Sequence, residues 1–330
     1  MKRRAFVVAA GFTFLIALLI ASALPTAVSA QPAPGLHRIG YLTPFLPNGS
    51  TIAVFRQGLR DYGYVEGQNI QLEVRSSGQD SSRFAALAAE LVATKPDIIV
   101  AQTGTAALAL KHATARIPIV MAGSGDAVAY GIIGSLARPG GNVTGFTLFT
   151  PELVPKRVEL LREVLPRAKR VAVLACPDNL TNATDLAAAS ATAQKLGLRL
   201  DPFEYRTPAS WKAMAEIIER SRPDGLLMLD CVNIPFQDIA NFTLRIRLPS
   251  FSPYPGTVPL GTLMAYGPDP IGTTRRAAEY VDRILKGARP QDLPVQHPSK
   301  YELHINLKTA RTFGLPISPS LLARADKVIE

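Results

Sequence analysis

The chain has 330 residues, with 36 Lys+Arg against 26 Asp+Glu and a formal net charge of +10. That length exceeds one small core and suits two lobes of ordinary domain size. The basic excess is scattered without a run of five like charges, which argues against a nucleic-acid-binding arm. The two cysteines are too few for a disulfide framework.

At the start, Lys2, Arg3 and Arg4 precede an apolar run from Ala5 to Leu24. Pro25 breaks the run, and Val28-Ser29-Ala30 precedes Gln31. A basic segment, an apolar segment and a small-x-small site read as a signal peptide over residues 1–30. About twenty apolar residues can just span a bilayer, so an uncleaved anchor is the alternative. Gly11, Pro25 and the Ala/Ser-rich tail favour cleavage. With no cysteine near Ala30, no lipid anchor is available, and the mature chain is expected to be a freely diffusing soluble protein.

From His37 onward, short β-branched runs alternate with amphipathic windows. Strands are expected at 38–42, 69–75, 97–102, 117–122 and 142–148, with helices at 52–62, 81–93, 104–114 and 129–137 between them. The 97–102 run is almost wholly apolar, as in a parallel sheet covered on both faces. A second series has helices at 151–165, 181–196, 208–221 and 234–246. Its strands are expected at 170–176, 198–205, 225–231 and 249–254. Two βα series predict an α/β fold of two doubly wound parallel-sheet lobes joined by a hinge. The remainder, strands 261–267 and 300–307 with helices 270–287 and 319–328, is too short for a third domain and should be shared. Residues 36–148 plus 265–291 are assigned to the first lobe, and 149–264 plus 292–330 to the second.

Ligands of open α/β sheets bind outside the carboxyl ends of the strands. In the first lobe those ends offer Phe45, then Thr103, Gly104 and Thr105 opening a helix, then Ser124, Gly125 and Asp126. Free N–H groups at a helix start favour an anion, and Asp126 is a candidate for an ammonium. In the second lobe the corresponding residues are Asp178, Asn179, Asp230, Tyr254 and Tyr266. Loop-end Ser, Thr, Gly and Asp also serve caps and turns, so the prediction rests on several loops converging. A hydroxyl, carboxylate and aromatic lining fits a small zwitterion. Cys176 and Cys231 end strands expected to be neighbours. Both a cleft-side disulfide and two free thiols are open, the bond being disfavoured by how parallel neighbours point their Cβ atoms.

The four histidines show no metal-ligand spacing, and structural roles are expected for His112 and His304. No nucleophile elbow or phosphate loop occurs. Gly140-Gly141 with Gly145 precedes a strand, whereas a dinucleotide fingerprint follows one. The reading is a binding protein with no enzymatic activity, no metal and no cofactor.

Several long strings sharpen this reading: "FRQGLRDYGYVEGQNI" (55–70), "LAAELVATKPDIIVAQTGTAALA" (87–109), "SLARPGGNVTGF" (135–146), "RRAAEYVDRILKGARPQDLPV" (275–295), "KYELHINLKTARTFGLPI" (300–317) and "LLARADKVIE" (321–330). Together they resemble the bacterial ABC-transporter substrate-binding proteins of the tryptophan/tyrosine-type family, over essentially all of the mature chain. The resemblance implies a type I periplasmic-binding-protein fold, three crossovers between lobes, a monomer in the periplasm, and delivery of a solute to an ABC permease in the inner membrane. It places ligand loops at Thr103–Thr105 and Ser124–Asp126. The sequence departs from the family pattern after Asp126, where Ala127-Val128 replace Pro-Val. It departs again at Met264-Ala265-Tyr266-Gly267, where the family favours Met-Ser-Tyr-Gly, and over 250–260. The resemblance therefore does not fix an aromatic amino acid as the ligand. A ligand sensor for a membrane receptor is the first alternative, and an exported enzyme on the same fold the second. The leader occupies the place of a repressor's helix-turn-helix, which excludes a DNA-binding role.

Overall fold

The computed structural model describes residues 35–47, 49–148, 152–231, 234–298 and 300–330. The leader at 1–30 lies outside them. The first sheet is built from β1 (His37–Thr43), α1 (Ser50–Asp61), β2 (Ile70–Ser76), α2 (Phe84–Ala93), β3 (Ile98–Ala101), α3 (Gly104–Ala113), β4 (Ile119–Ser124) and β5 (Val143–Thr147). Its strands run in the order β2-β1-β3-β4-β5, all parallel, with Ile39 opposite both Leu72 and Ile98.

The second series runs α4 (Leu153–Val164), β6 (Arg170–Ala175), α5 (Asn182–Lys195), β7 (Arg199–Glu204), α6 (Trp211–Ser221), β8 (Gly225–Met228), α7 (Phe236–Arg245), β9 (Ser250–Ser252) and β10 (Met264–Gly267). The chain then makes α8 (Pro270–Leu285), β11 (Glu302–Asn306), α9 (Leu307–Phe313), α10 (Pro319–Ala323) and β12 (Lys327–Ile329). This sheet has seven strands in the order β12-β11-β10-β9-β8-β6-β7, parallel except where β11 returns beside β10.

Both sheets are covered on two faces, which explains the apolar strands. In the first lobe, Tyr41, Phe55, Leu59, Val100, Tyr280 and Val281 bring α1 and α8 onto one face. Phe84, Leu91, Ile99, Leu110 and Met121 bring α2 and α3 onto the other. Contact between α1 and α8 is close: a Cβ on Gly58 would lie 2.5 Å from the Arg275 carbonyl oxygen. In the second lobe, Val158, Leu161, Val173 and Leu227 form one core, and Leu174, Trp211, Ile218 and Met228 the other.

The sharing of the C-terminal region differs from expectation. Strand β10 belongs to the second sheet, where Met264 pairs with Phe251 and Ile305. Residues 293–296 belong instead to the first lobe. Leu293 and Val295 fill its cores, and Gln296 donates its N–H to the Gly145 carbonyl at 2.9 Å. The chain thus passes between the sheets after β5, after β10 and before β11. Two of these passages touch where Thr147 Oγ1 lies 2.7 Å from His297 Nδ1.

Three local expectations also change. Residues 129–137 form turns: the Tyr130 N–H bonds to the Asp126 carbonyl, and Gly131 adopts φ 64°. The helix-like spacing there came from Ile132 and Ile133, which are buried as anchors of a loop. The strand expected over 300–307 stops at Asn306, whose side-chain oxygen accepts the Thr309 N–H at 2.9 Å and so starts α9. The helix expected over 319–328 ends at Ala323, and β12 pairs with β11.

Candidate ligand-binding site

The strand ends of both lobes face a cleft of about 650 Å³, a volume in the range of small-molecule sites. Ten of the predicted residues line it: Phe45, Thr103, Gly104, Thr105, Ser124, Gly125, Asp178, Asn179, Asp230 and Tyr254.

On the first-lobe side, Thr103 caps α3 by accepting the Ala106 N–H at 3.2 Å. The first-turn N–H groups of Gly104 and Thr105, which no helix can satisfy internally, remain beside the cleft. The Thr105 hydroxyl adds to this wall, while the Ser124 hydroxyl donates to the Gly125 carbonyl at 3.1 Å. Glycine at 125 lets the lobes approach: a Cβ there would lie 2.5 Å from Thr181 Cγ2.

On the second-lobe side, Asp230 is only 7% exposed. The Tyr254 hydroxyl donates to its carboxylate, and Asn179 Nδ2 donates to its backbone carbonyl at 2.6 Å. Burial pushes the Asp230 carboxyl up to about 6, against the pull of the Tyr254 hydrogen bond. Aromatic surface comes from Tyr254 and Phe236, whose rings meet edge to face with centroids 5.6 Å apart.

Two predicted residues lie elsewhere. The Asp126 carboxylate accepts the N–H groups of Val128 at 3.1 Å and Ala129 at 3.0 Å, fixing the turn after β4. A short acid following glycine does this readily. Tyr266 stands two residues after the core residue Met264 and shares its face of the sheet. Its ring packs against the second-lobe core and Tyr301.

Several residues escaped the sequence reading. Gln102, Tyr130, Tyr205 and Phe236 line the cleft. So do Glu302 and His304, paired at 2.9 Å, so His304 faces the cleft rather than serving only the core. Behind the wall, Arg157 is 2% exposed and donates from Nε to the Tyr266 carbonyl at 2.7 Å. Burial pulls its guanidinium down, while Asp230 and Asp185 pull it back up. Burial also raises Asp185, against hydrogen bonding by Thr181 and the charge of Arg157. Tyr130 reaches this group from the first lobe, and burial, then Asp185, pushes its phenol up. The signal for Arg157 was present: Val154, Arg157, Val158 and Leu161 form one buried helical stripe with a cation in it.

Cys176 and Cys231 are joined in a disulfide with Cα atoms 5.7 Å apart. The geometric objection applied to residues within paired strands. Both cysteines lie beyond the last β6–β8 pair, Leu174 with Met228, where the pleat no longer fixes their Cβ directions. The bond ties the Asn179 loop to the Asp230 loop.

Two parallel-sheet lobes, a chain that passes between them three times, and a cleft at the strand carboxyl ends define a type I periplasmic-binding-protein fold. Residues 50–329 match the family model of the ABC transporter substrate binding protein, and the chain belongs to that family, one of solute-binding proteins. A curated relative, the tyrosine-binding protein of Clostridioides difficile, is 24% identical over 269 residues, covering 79% of this chain and 75% of that protein. Among solved structures, the ABC domain from Streptococcus pneumoniae in complex with L-Trp is 26% identical with a TM-score of 0.79, over 89% of this chain and 100% of that one. A conserved domain protein from Vibrio cholerae is 25% identical, also at 0.79, over 88% and 99% of the two chains.

Proposed function

We propose that this chain is the exported, periplasmic receptor of an ABC importer, which closes two lobes over an amino acid or related carboxylate and delivers it to a membrane permease. One observation carries the reading: the two walls of the cleft are chemically opposite. The first lobe offers helix-start N–H groups and hydroxyls, and its two acids there are engaged by backbone N–H groups: Asp126 is turned into its own loop, and Asp269 caps α8 by accepting the Ile271 N–H at 2.9 Å. Those groups receive a carboxylate. The second lobe offers the buried Asp230, which receives an ammonium, while Tyr254, Phe236 and Tyr130 flank the remainder of the solute. The relatives named for tyrosine and found with L-Trp support an aromatic amino acid.

Because a solute bound only in the closed state shifts an open–closed equilibrium, it stabilises the fold by mass action. Screening the purified mature chain by thermal shift against all amino acids and a set of aromatic carboxylates tests the reading. At a hundredfold excess over Kd, a true solute adds about 2.7 kcal/mol. A rise in midpoint with at least one amino acid or aromatic acid is expected. If none raises it, or if the solute is chemically consumed, the reading fails.

A further inference from the structure

Gln102 closes the carboxyl end of β3, one residue before the cap of α3, and is 7% exposed on the cleft wall. Its amide orientation is fixed from behind. Thr43, fully buried, accepts the Phe45 N–H at 3.0 Å on its hydroxyl oxygen, and that hydroxyl donates to Gln102 Oε1. Were the amide reversed, Gln102 would donate to Thr43 and the Thr43 proton would lose its acceptor inside the core, where an unmade hydrogen bond is costly. The carbonyl oxygen therefore points to Thr43. The amide nitrogen, which donates to none of the described residues, is left for the cleft.

We propose that Gln102 is a specificity-determining residue whose Nε2 donates to a carboxylate oxygen of the solute, beside the N–H groups of Gly104 and Thr105. With its side-chain oxygen turned to Thr43, Gln102 presents its NH2 donors to the cleft. It therefore accepts the acid end of a zwitterion and rejects the ammonium end, which has nothing to donate to. This sets the direction in which the solute enters, carboxylate to the first lobe and ammonium toward Asp230. The assignment rests on the carboxylate-receptor reading above and extends it to one side chain and one atom.

Calorimetry on the mature chain tests it, with paired probes: L-tyrosine and tyramine, L-tryptophan and tryptamine, and the panel of aromatic carboxylates. For the tightest-binding carboxylate, Gln102→Met is expected to weaken binding between about tenfold and a hundredfold, the range for a hydrogen bond to a charged group. The carboxyl-free partner should be unaffected. Thr43→Val, which frees the amide without touching the cleft, should weaken the same carboxylate severalfold. Gln102→Glu should weaken it most at pH 8 and recover toward pH 5, measured against the unsubstituted protein at each pH, as the introduced carboxyl regains a proton to donate. The charged groups of the cleft (Asp178, Arg206, Asp230, Asp269, Glu302 and His304) are common to both proteins, so the ratio isolates residue 102. A merely structural glutamine gives no such pH profile. Unchanged carboxylate affinity in Gln102→Met or in Thr43→Val, with ligand-free midpoints unchanged, overturns this assignment alone. If no carboxylate in the panel binds, the receptor reading falls with it.

Discussion

Asp230 carries two opposed demands at the residue scale. As a buried carboxylate it destabilises the empty protein when charged, and in the proposed role it has to be charged to hold an ammonium. Burial raises it from 3.8 to about 6, so the folded chain holds this proton more tightly than the unfolded chain. For an acid raised in the folded state, the associated stability is complete below the unfolded value and is lost as pH rises through the folded one. The ligand-free protein should therefore lose stability between about pH 4 and pH 6, by an amount on the order of 2–3 kcal/mol. Asp230→Asn, which keeps an acceptor for the Tyr254 hydroxyl, should raise the thermal midpoint at pH 7.5 and change it little at pH 4. The same variant should bind an amino acid at least tenfold more weakly at pH 7.5. In the unsubstituted protein, affinity should fall about tenfold for each pH unit below 6. A lower midpoint for Asp230→Asn at pH 7.5, or an affinity independent of pH and of the substitution, would contradict this account. Asp230 was legible in the sequence because its place is set by topology, at the end of a strand. Asp126 occupied an equally suitable place, but a local choice decided its role: its oxygen found two backbone N–H groups before it could face the cleft.

At the scale of elements, strand positions were readable because both sheets are buried on two faces, which writes apolar runs such as Ile98–Ala101 into the chain. The stretch 129–137 misled because two buried isoleucines, four and three residues before Leu136, mimic a helical stripe within a turn-rich loop. Strand β10 was credited to the wrong lobe for a related reason: the pattern shows that a strand exists, while its neighbours depend on contacts distant in sequence. The disulfide belongs to this scale as well. It closes a loop spanning 55 residues and clamps the segments following β6 and β8. In the chain-entropy account, a loop of that length is worth about 4 kcal/mol. Replacing both cysteines by serine should lower stability to denaturant by about that amount and weaken solute binding, because Asn179 and Asp230 lose their shared support. An unchanged denaturation midpoint would show that the loops hold their places without the bond.

For the whole molecule, the proposed closure turns on the three passages of chain between the lobes. Gly267 ends β10 at one of these passages, where a Cβ would sit 1.9 Å from the Pro253 carbonyl oxygen, so the backbone there admits no side chain. On the cleft side, Gly125 and Thr181 meet across the lobes, and Tyr130 approaches Asp185 and Asp230. These contacts are available only when the lobes are together. A solute that touches both walls adds to them and shifts the population toward closure. The two-lobe plan was legible from the repetition of βα units. The contacts that favour closure were not, since Tyr130, Arg157 and Asp185 are far apart in sequence and meet only through the fold.

A carboxylate-bearing solute is expected to draw the two lobes together. Small-angle X-ray scattering of the mature chain, recorded through a calorimetric titration with its tightest-binding amino acid, measures this most directly. Saturation at one solute per chain, with a radius of gyration that falls in step with occupancy, is the expected result. Saturation with an unchanged radius of gyration, or the same response to a carboxyl-free amine as to the acid, would contradict it.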